Sequence, residues 1–351
     1  MSDEHETEEA EALLADRRAN ELRHFEGEHA YSKAPPICVY RTRRYVQPRV
    51  NEVFGSANQY EYYSRPIKAR AAKKKHVSVL SIGSGNGQQE MAIAQRLLRR
   101  GCSNFLIEGL EYSEANVAAA NKAAEDAGIG QQVRFFVGDF NELSADRERD
   151  VVIANQVLHH VSELEILFDA IAEMIEDGGA FLTRDVIGRN GHRAWPECRE
   201  LIDRIWEEMP RRYTYSHREE RFLEAFPDRD YSAKSFEGVR AQDILPLMLE
   251  RFSFFRFYAF GGIVERFLNH ALGPNFDLKN EDDLAFVNQL EILNDAGIDS
   301  GLIKPTQMLA YASIKPRQLT CWRNRTPDHC LRVAGEAASA EDSHPPQGAA
   351  P

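Results

Sequence analysis

Val77-Ser78-Val79-Leu80-Ser81-Ile82-Gly83-Ser84-Gly85-Asn86-Gly87-Gln88-Gln89-Glu90 is the stretch on which the fold turns. Its first six residues read as a strand buried on both faces, ended by a glycine turn. Glycines here let the backbone turn sharply and approach a ligand with no Cβ in the way. Residues 88–100 then read as a helix with Met91, Ile93, Ala94, Leu97 and Leu98 on its apolar side. A dinucleotide-binding turn has G-x-G-x-x-G and seats a pyrophosphate at the helix N-terminus. The spacing in this chain is G-x-G-x-G, and Glu90 in the first helical turn is a poor neighbour for a pyrophosphate. The loop suits a cationic, phosphate-free ligand better.

Downstream, the same rhythm repeats. Strands are predicted over 105–110, 133–137, 150–154 and 180–185, with helices over 113–127 and 163–176 between them. Ser113 is the N-cap of the first of these helices and Gly128 its stop, while Gly178-Gly179 stops the second. Strands alternating with helices of this length imply βαβ units and a parallel sheet, whose ligands sit at the carboxyl ends of the strands. Glu111-Tyr112 follows the second strand, where a carboxylate can accept both hydroxyls of a ribose. Its structural alternative is a charge at a helix N-terminus. Gly138-Asp139-Phe140 follows the third strand, where Asp139 can accept from an adenine amine and Phe140 can cover the ring. Asn155-Gln156-Val157-Leu158-His159-His160-Val161 follows the fourth.

Together these features resemble the class I S-adenosylmethionine-dependent methyltransferases of the small-molecule type. Residues 79–87 look like that family's motif I, and Glu111, Asp139-Phe140 and 155–161 match its later motifs in order. The resemblance implies an α/β, Rossmann-like doubly wound, mostly parallel sheet, with an N-terminal helical segment and C-terminal helical insertions. It also implies S-adenosyl-L-methionine as cofactor, held by Ser81, Gly83, Ser84, Gly85, Asn86, Gly87, Glu111, Tyr112, Gly138, Asp139, Phe140, Asn155 and Gln156. The family often carries an acidic residue where Ser81 stands, near the cofactor's amino group, and Glu90 is placed to take part of that role.

In-line methyl transfer needs the acceptor aligned and water excluded, with a base if the acceptor is a hydroxyl or carbon acid. His159 and His160 are the nearest candidate bases, with helix packing or capping as their structural alternative. Asp185 and His192, in the loop after the fifth strand, could orient or deprotonate an acceptor, and Trp195 could wall its pocket. Residues 31–75 read as irregular and rich in Arg and Tyr; Tyr63 and Arg65 are assigned to a lid over the cofactor and acceptor, with plain packing as the alternative. Phe252, Phe254, Phe255, Phe257, Tyr258 and Phe260, in a strand predicted over 251–260, would build a sheet core or back a substrate pocket.

The predicted division is an N-terminal helical or lid segment (1–75), a cofactor-binding core (76–188), the rest of the sheet with a helical substrate lobe (189–316), and a tail (317–351) disordered toward its end. A helix is predicted over 6–29, further helices over 263–272 and 281–296, and a last strand over 308–314.

Bulk properties bound the function. The net charge of −12 over 351 residues disfavours nucleic acid and anionic lipid as partners. No run of about 18 apolar residues appears, so no transmembrane span is expected, and the acidic N-terminus is no secretory signal. Five widely spaced cysteines support neither a disulfide framework nor a zinc knuckle. The chain reads as cytoplasmic. No compact carboxylate set at ligand spacing appears, so no metal is expected. The competing functions are a protein or nucleic-acid methyltransferase, a NAD-dependent oxidoreductase, and a non-catalytic scaffold that keeps the fold. A base-modifying enzyme wants Pro-Pro-aromatic after the fourth strand, where Gln156-Val157-Leu158 stands instead.

Overall fold

The computed structural model describes residues 34–332, together with Arg17. Apart from Arg17, the helix expected over 6–29 lies outside the described residues, as does the end of the tail from 333.

Five parallel strands form the centre: β1 (Val77–Ile82), β2 (Phe105–Glu111), β3 (Val133–Val137), β4 (Arg149–Asn155) and β5 (Ile175–Val186). Two short strands, β6 (Tyr215–Ser216) and β7 (Arg221–Phe222), make a separate hairpin. Strands β8 (Ser253–Phe260), β9 (Gln307–Ser313) and β10 (Thr320–Cys321) complete an eight-stranded sheet in the order β10-β8-β9-β5-β4-β1-β2-β3. Only β9 runs antiparallel to its neighbours. The chain order reverses on either side of β1, which pairs with both β2 and β4. That is the switch point at which an open α/β sheet leaves a crevice.

Register makes the crevice functional. Ile82 lies opposite Leu110 and Ala154, Glu111 opposite Val137, and Asn155 opposite Arg184. The residues that follow the strands therefore emerge along one edge, although they are far apart in the chain. Each helix packs where its apolar stripe dictates. In α4 (Gln88–Arg99), Ile93, Ala94 and Leu97 are buried and Met91 and Leu98 pack against the same core. In α5 (Glu114–Asp126), the Ser113 hydroxyl accepts from the Asn116 amide as N-cap.

Several expectations need correction. The stretch 34–75 is mostly helical: α1 (Pro36–Arg41), a π-turn (Thr42–Val46), α2 (Gln47–Phe54) and α3 (Gln59–Ala71). Tyr63, Ile67 and Ala71 are buried at helical spacing, a period masked by the intervening arginines and lysines. The helix before β5, α6, is Leu164–Met174 and ends before Gly178-Gly179, which lie inside the irregular start of β5. Part of the tail also belongs to the fold. Residues 320–321 extend the sheet beside β8, and Arg325 is fully buried, donating to Asp295 and Asp299.

Two cores cover the faces of the sheet, and a third lies in the helical lobe. That lobe includes α7 (Pro196–Glu208), α9 (Val264–Phe267) and α10 (Glu281–Ser300), while α8 (Ile244–Arg251) instead covers the sheet against α6. A buried ion network anchors the N-terminal helices to α10: Glu291 accepts from Arg41 and Arg49, both at 2.7 Å. The aromatic residues of β8 are buried in the sheet cores, and none lines the cavity described next.

Candidate active site at the carboxyl edge of the sheet

A cavity of about 560 Å³ lies across the switch point. Its walls come from the ends of β1, β2, β3, β4 and β5, so chain segments more than 100 residues apart share it. Ser81, Gly83, Ser84, Gly85 and Asn86 line it, as do Glu111, Tyr112, Asp139, Phe140, Asn155, Gln156 and His160. Gly87 and Gly138 support this wall from outside. A Cβ on Gly87 would sit 2.4 Å from the Phe135 ring, and one on Gly83 would sit 2.4 Å from Val157 Cγ2. Both glycines have positive φ, so alanine at either would be strained as well as crowded.

Glu111 anchors the glycine turn. One carboxylate oxygen accepts from the Gly85 amide at 2.8 Å and the other from the Ser113 amide at 3.1 Å. Oε1 also accepts from the Asn116 side-chain amide at 3.4 Å, so Oε2 is the oxygen that retains a lone pair for a ligand hydroxyl. Asp139 accepts from the Asn141 amide at 2.8 Å, and Asn141 in turn holds the amide of Ser162. Ser81 donates to Glu90 Oε1 at 2.7 Å. Glu90 is almost wholly buried on the cavity wall, and its Oε2 has no hydrogen-bond partner among the described residues. Burial, opposed by the Ser81 bond and reinforced by the like charge of Glu111, pushes its pKa up to about 7.

Asn155 joins the N-terminal helix to the site. Tyr63 donates to its Oδ1 at 2.7 Å, and its amide donates to Gln89 at 2.7 Å. Tyr63 is therefore core beneath the site rather than a lid, and Arg65 turns away to the Gly55 carbonyl. Gln59 and Tyr60, at the start of α3, are the residues of that helix that reach the cavity. Trp195 does not wall it: the indole packs in the lobe core with Arg332 over its ring at 4.3 Å.

Beyond His160, four more polar side chains converge. Asp185 is completely buried at the end of β5. Its Oδ2 accepts from the amides of Val157 (2.9 Å) and Leu158 (2.8 Å), and its Oδ1 from the amide of Val186 (2.8 Å). His159 Nδ1 donates to the same Oδ1 at 2.5 Å. Burial alone would raise the Asp185 pKa, but His159 and these amides hold it below the ordinary value. An ionised Asp185 can only accept, so the Nδ1 proton is fixed and Nε2 of His159 is left to face Glu237 at 3.6 Å. His192 Nε2 meets Glu237 Oε1 at 2.7 Å, and His160 Nε2 lies 3.4 Å from Oε2. Burial raises the Glu237 pKa, but the His192 bond and the neighbouring imidazoles bring it down to about 2.

Sequence spacing conceals Glu237. It lies 45 residues beyond His192 in a loop without regular structure. Two backbone bonds dock that loop, from Val239 to the His159 carbonyl and from Gly191 to the Gly238 carbonyl. Gln156 and His192 both adopt left-handed backbone at φ 55°, a strain that non-glycine residues keep where surrounding contacts enforce it.

A doubly wound sheet with a glycine turn after β1, a carboxylate at the end of β2 and a cavity across the switch point defines a Rossmann-like fold with its ligand crevice at the carboxyl edge. Residues 73–225, less than half of the chain, match the family model described as a methyltransferase domain. Over 124 residues it is 28% identical to the sterol 24-C-methyltransferase of Neurospora crassa, covering 35% of this chain and 30% of that protein. Over 110 residues it is 29% identical to the 27-O-demethylrifamycin SV methyltransferase of Amycolatopsis mediterranei, covering 31% and 38%. The matched stretches thus span about a third of the length of these curated relatives. Among solved structures, the chain is similar to an O-methyltransferase from a trans-AT PKS multienzyme of Brevibacillus brevis in complex with S-adenosyl-L-homocysteine. That pair is 14% identical with a TM-score of 0.42, covering 82% of this chain and 86% of the other. Among the described residues, no helix is long and apolar enough to cross a membrane.

Proposed function

We propose that this chain transfers the methyl group of S-adenosylmethionine to a small-molecule acceptor. The observation that carries the proposal is the convergence on one cavity of the glycine turn, Glu111, Asp139 with Phe140, and the buried Ser81–Glu90 pair. Each supplies what one part of that cofactor needs. Glu111 is positioned for ribose hydroxyls, Asp139 and Phe140 for adenine, and the orphaned oxygen of Glu90 for an ammonium group. When bound, the cofactor supplies a sulfonium-activated methyl. The chain's own part is to hold it, align the acceptor and exclude water.

His160 on the cavity wall and the Asp185-oriented His159 behind it are the groups we assign to acceptor deprotonation, with His192 and Glu237 completing their setting. The division into N-terminal segment (1–75), cofactor core (76–188), lobe (189–316) and tail (317–351) belongs to the same proposal. Five free thiols suit a reducing, cytoplasmic compartment, and the net charge of −12 argues against a nucleic-acid partner.

Isothermal titration with S-adenosylhomocysteine, NAD and NADP tests the assignment. Binding is expected for the first alone; tight NAD binding with no S-adenosylhomocysteine signal would overturn it. In the same experiment, Glu111→Ala is expected to weaken S-adenosylhomocysteine by roughly 1.5–3 kcal/mol, since it removes charged acceptors and frees the glycine turn. An unchanged affinity would remove Glu111 from the site.

A further inference from the structure

Among the described residues, His159, His192 and Glu237 are the one group of three His, Cys, Asp or Glu side chains whose ligand atoms all lie within 4.8 Å of one another. We propose that they form a binding site for a divalent first-row transition ion of the zinc class, bordering the acceptor end of the cavity.

Three observations carry this. The first is the donor set. Two imidazoles and one carboxylate suit borderline divalent ions, and three protein ligands leave a position open for water or substrate. The second is spacing. Ligands about 2 Å from a tetrahedral ion stand roughly 3.3 Å from one another. Here Glu237 Oε1 lies 2.7 Å from His192 Nε2 and 3.6 Å from His159 Nε2, so small side-chain rotations would open the space.

The third is the support behind the ligands. A metal-bound histidine commonly donates its other ring N–H to a carboxylate, which fixes the tautomer and turns the free nitrogen toward the ion. His159 does this to Asp185, a carboxylate with no solvent exposure that is itself held by three backbone amides. His192 Nδ1 is buried and has no hydrogen-bond partner among the described residues, while its Nε2 is the nitrogen that meets Glu237. The loop bearing Glu237 is tied by backbone bonds to the turns that carry both histidines. His160 spans the cluster and the cavity, lining the latter while reaching the second oxygen of Glu237.

With His159 Nε2 on the ion, acceptor deprotonation falls to His160 on the cavity wall, and the ion would supply Lewis acidity where an acceptor oxygen would approach. The site itself does not depend on the methyl-transfer assignment, because none of its three ligands lines the cavity.

The test uses the full chain, stripped with a chelator, then loaded with Zn2+ or Co2+ and desalted. Elemental analysis is expected to find one ion per chain, and the Co2+ form to show the visible bands of a low-coordinate nitrogen–oxygen site. His192→Ala and Glu237→Gln are each expected to lower Zn2+ affinity at least 100-fold while still binding S-adenosylhomocysteine like the parent. Retention of stoichiometric, tight zinc by both variants would overturn the proposal, as would failure of the parent to hold any. X-ray absorption of the zinc-loaded parent decides without mutagenesis. Imidazole scattering with no sulfur neighbour supports the site, and sulfur in the shell, pointing to the cysteines, sinks it.

Discussion

Asp185→Asn is expected to lower the free energy of unfolding by roughly 3–5 kcal/mol, the range for breaking a buried, hydrogen-bonded charge pair. The substitution keeps the shape of the side chain and inverts half its chemistry. Both Asp185 oxygens act as acceptors, Oδ2 from two backbone amides and Oδ1 from a third amide and from His159. An asparagine NH2 must face one of these pairs, donor against donor, at a side chain with no solvent exposure. If it faces the amides, the turn carrying Leu158, His159 and His160 loses its anchor at the end of β4. If it faces His159, the imidazole must take the other tautomer and present N–H where it now presents a lone pair. Either way turnover is expected to fall about 10²–10⁴-fold, the usual worth of a positioned acid–base group. Chemical denaturation, with methyl-transfer rates on a confirmed acceptor, checks both parts. A variant of parental stability and rate would mean that Asp185 is neither strut nor orienter.

Glu90 should make cofactor affinity depend on pH. In the ligand-free cavity its pKa is raised to about 7, because burial disfavours the anion and Glu111 adds like charge. A cationic ligand beside Oε2 favours the anion, so binding below pH 7 must expel a proton. Affinity for S-adenosylhomocysteine is therefore expected to rise about tenfold or more from pH 5.5 to 7 and then level off. Other titratable or charged groups also face the cavity or Glu90, namely Tyr60, Glu111, Tyr112, Asp139, His160, Glu163, Arg184 and the buried Tyr63. Glu90→Gln separates their contribution: the variant should bind weakly and with a flat profile across this range. A parental slope in Glu90→Gln would remove Glu90 as the source of the dependence.

The same shift has a sign for stability. The pKa of Glu90 is higher in the folded state, so folding is most favoured with respect to this group below its unfolded value of 4.5. That stability is lost as pH rises toward the folded value of about 7. At pH 8 the ligand-free Glu90→Gln chain should be more stable than the parent by up to roughly 3 kcal/mol. Denaturation at pH 5 and pH 8 would check this; equal stability of the two chains at both would contradict it. The residue that weakens the empty fold is the one we assign to ligand recognition, the compromise expected of a buried binding group.

The central sheet was legible because each of its strands is specified locally. Val77 to Ile82 is a short run, apolar but for Ser78 and Ser81, and Gly83, Gly85 and Gly87 end it with residues that tolerate positive φ. Glu111, Asp139 and Asn155 could be placed for a related reason: parallel in-register pairing brings whatever follows each strand to the same edge. Tyr63 and Trp195 went the other way. An aromatic residue near a ligand edge looks the same in sequence whether it faces the cavity or the core, and burial decided for the core in both.

By itself, then, the sequence determined the alternation of strands and helices, the phosphate-unfriendly turn and the carboxylates beside it, because these are set by periodicity and by backbone sterics a few residues long. Only the tertiary structure decided that α3 covers the cofactor edge with Gln59 and Tyr60, that Glu90 is buried with a free oxygen, and that Glu237 crosses 45 residues to meet His192. Those outcomes depend on docking a helix and an irregular loop through contacts between distant segments, and no local pattern encodes which distant partner a side chain will find.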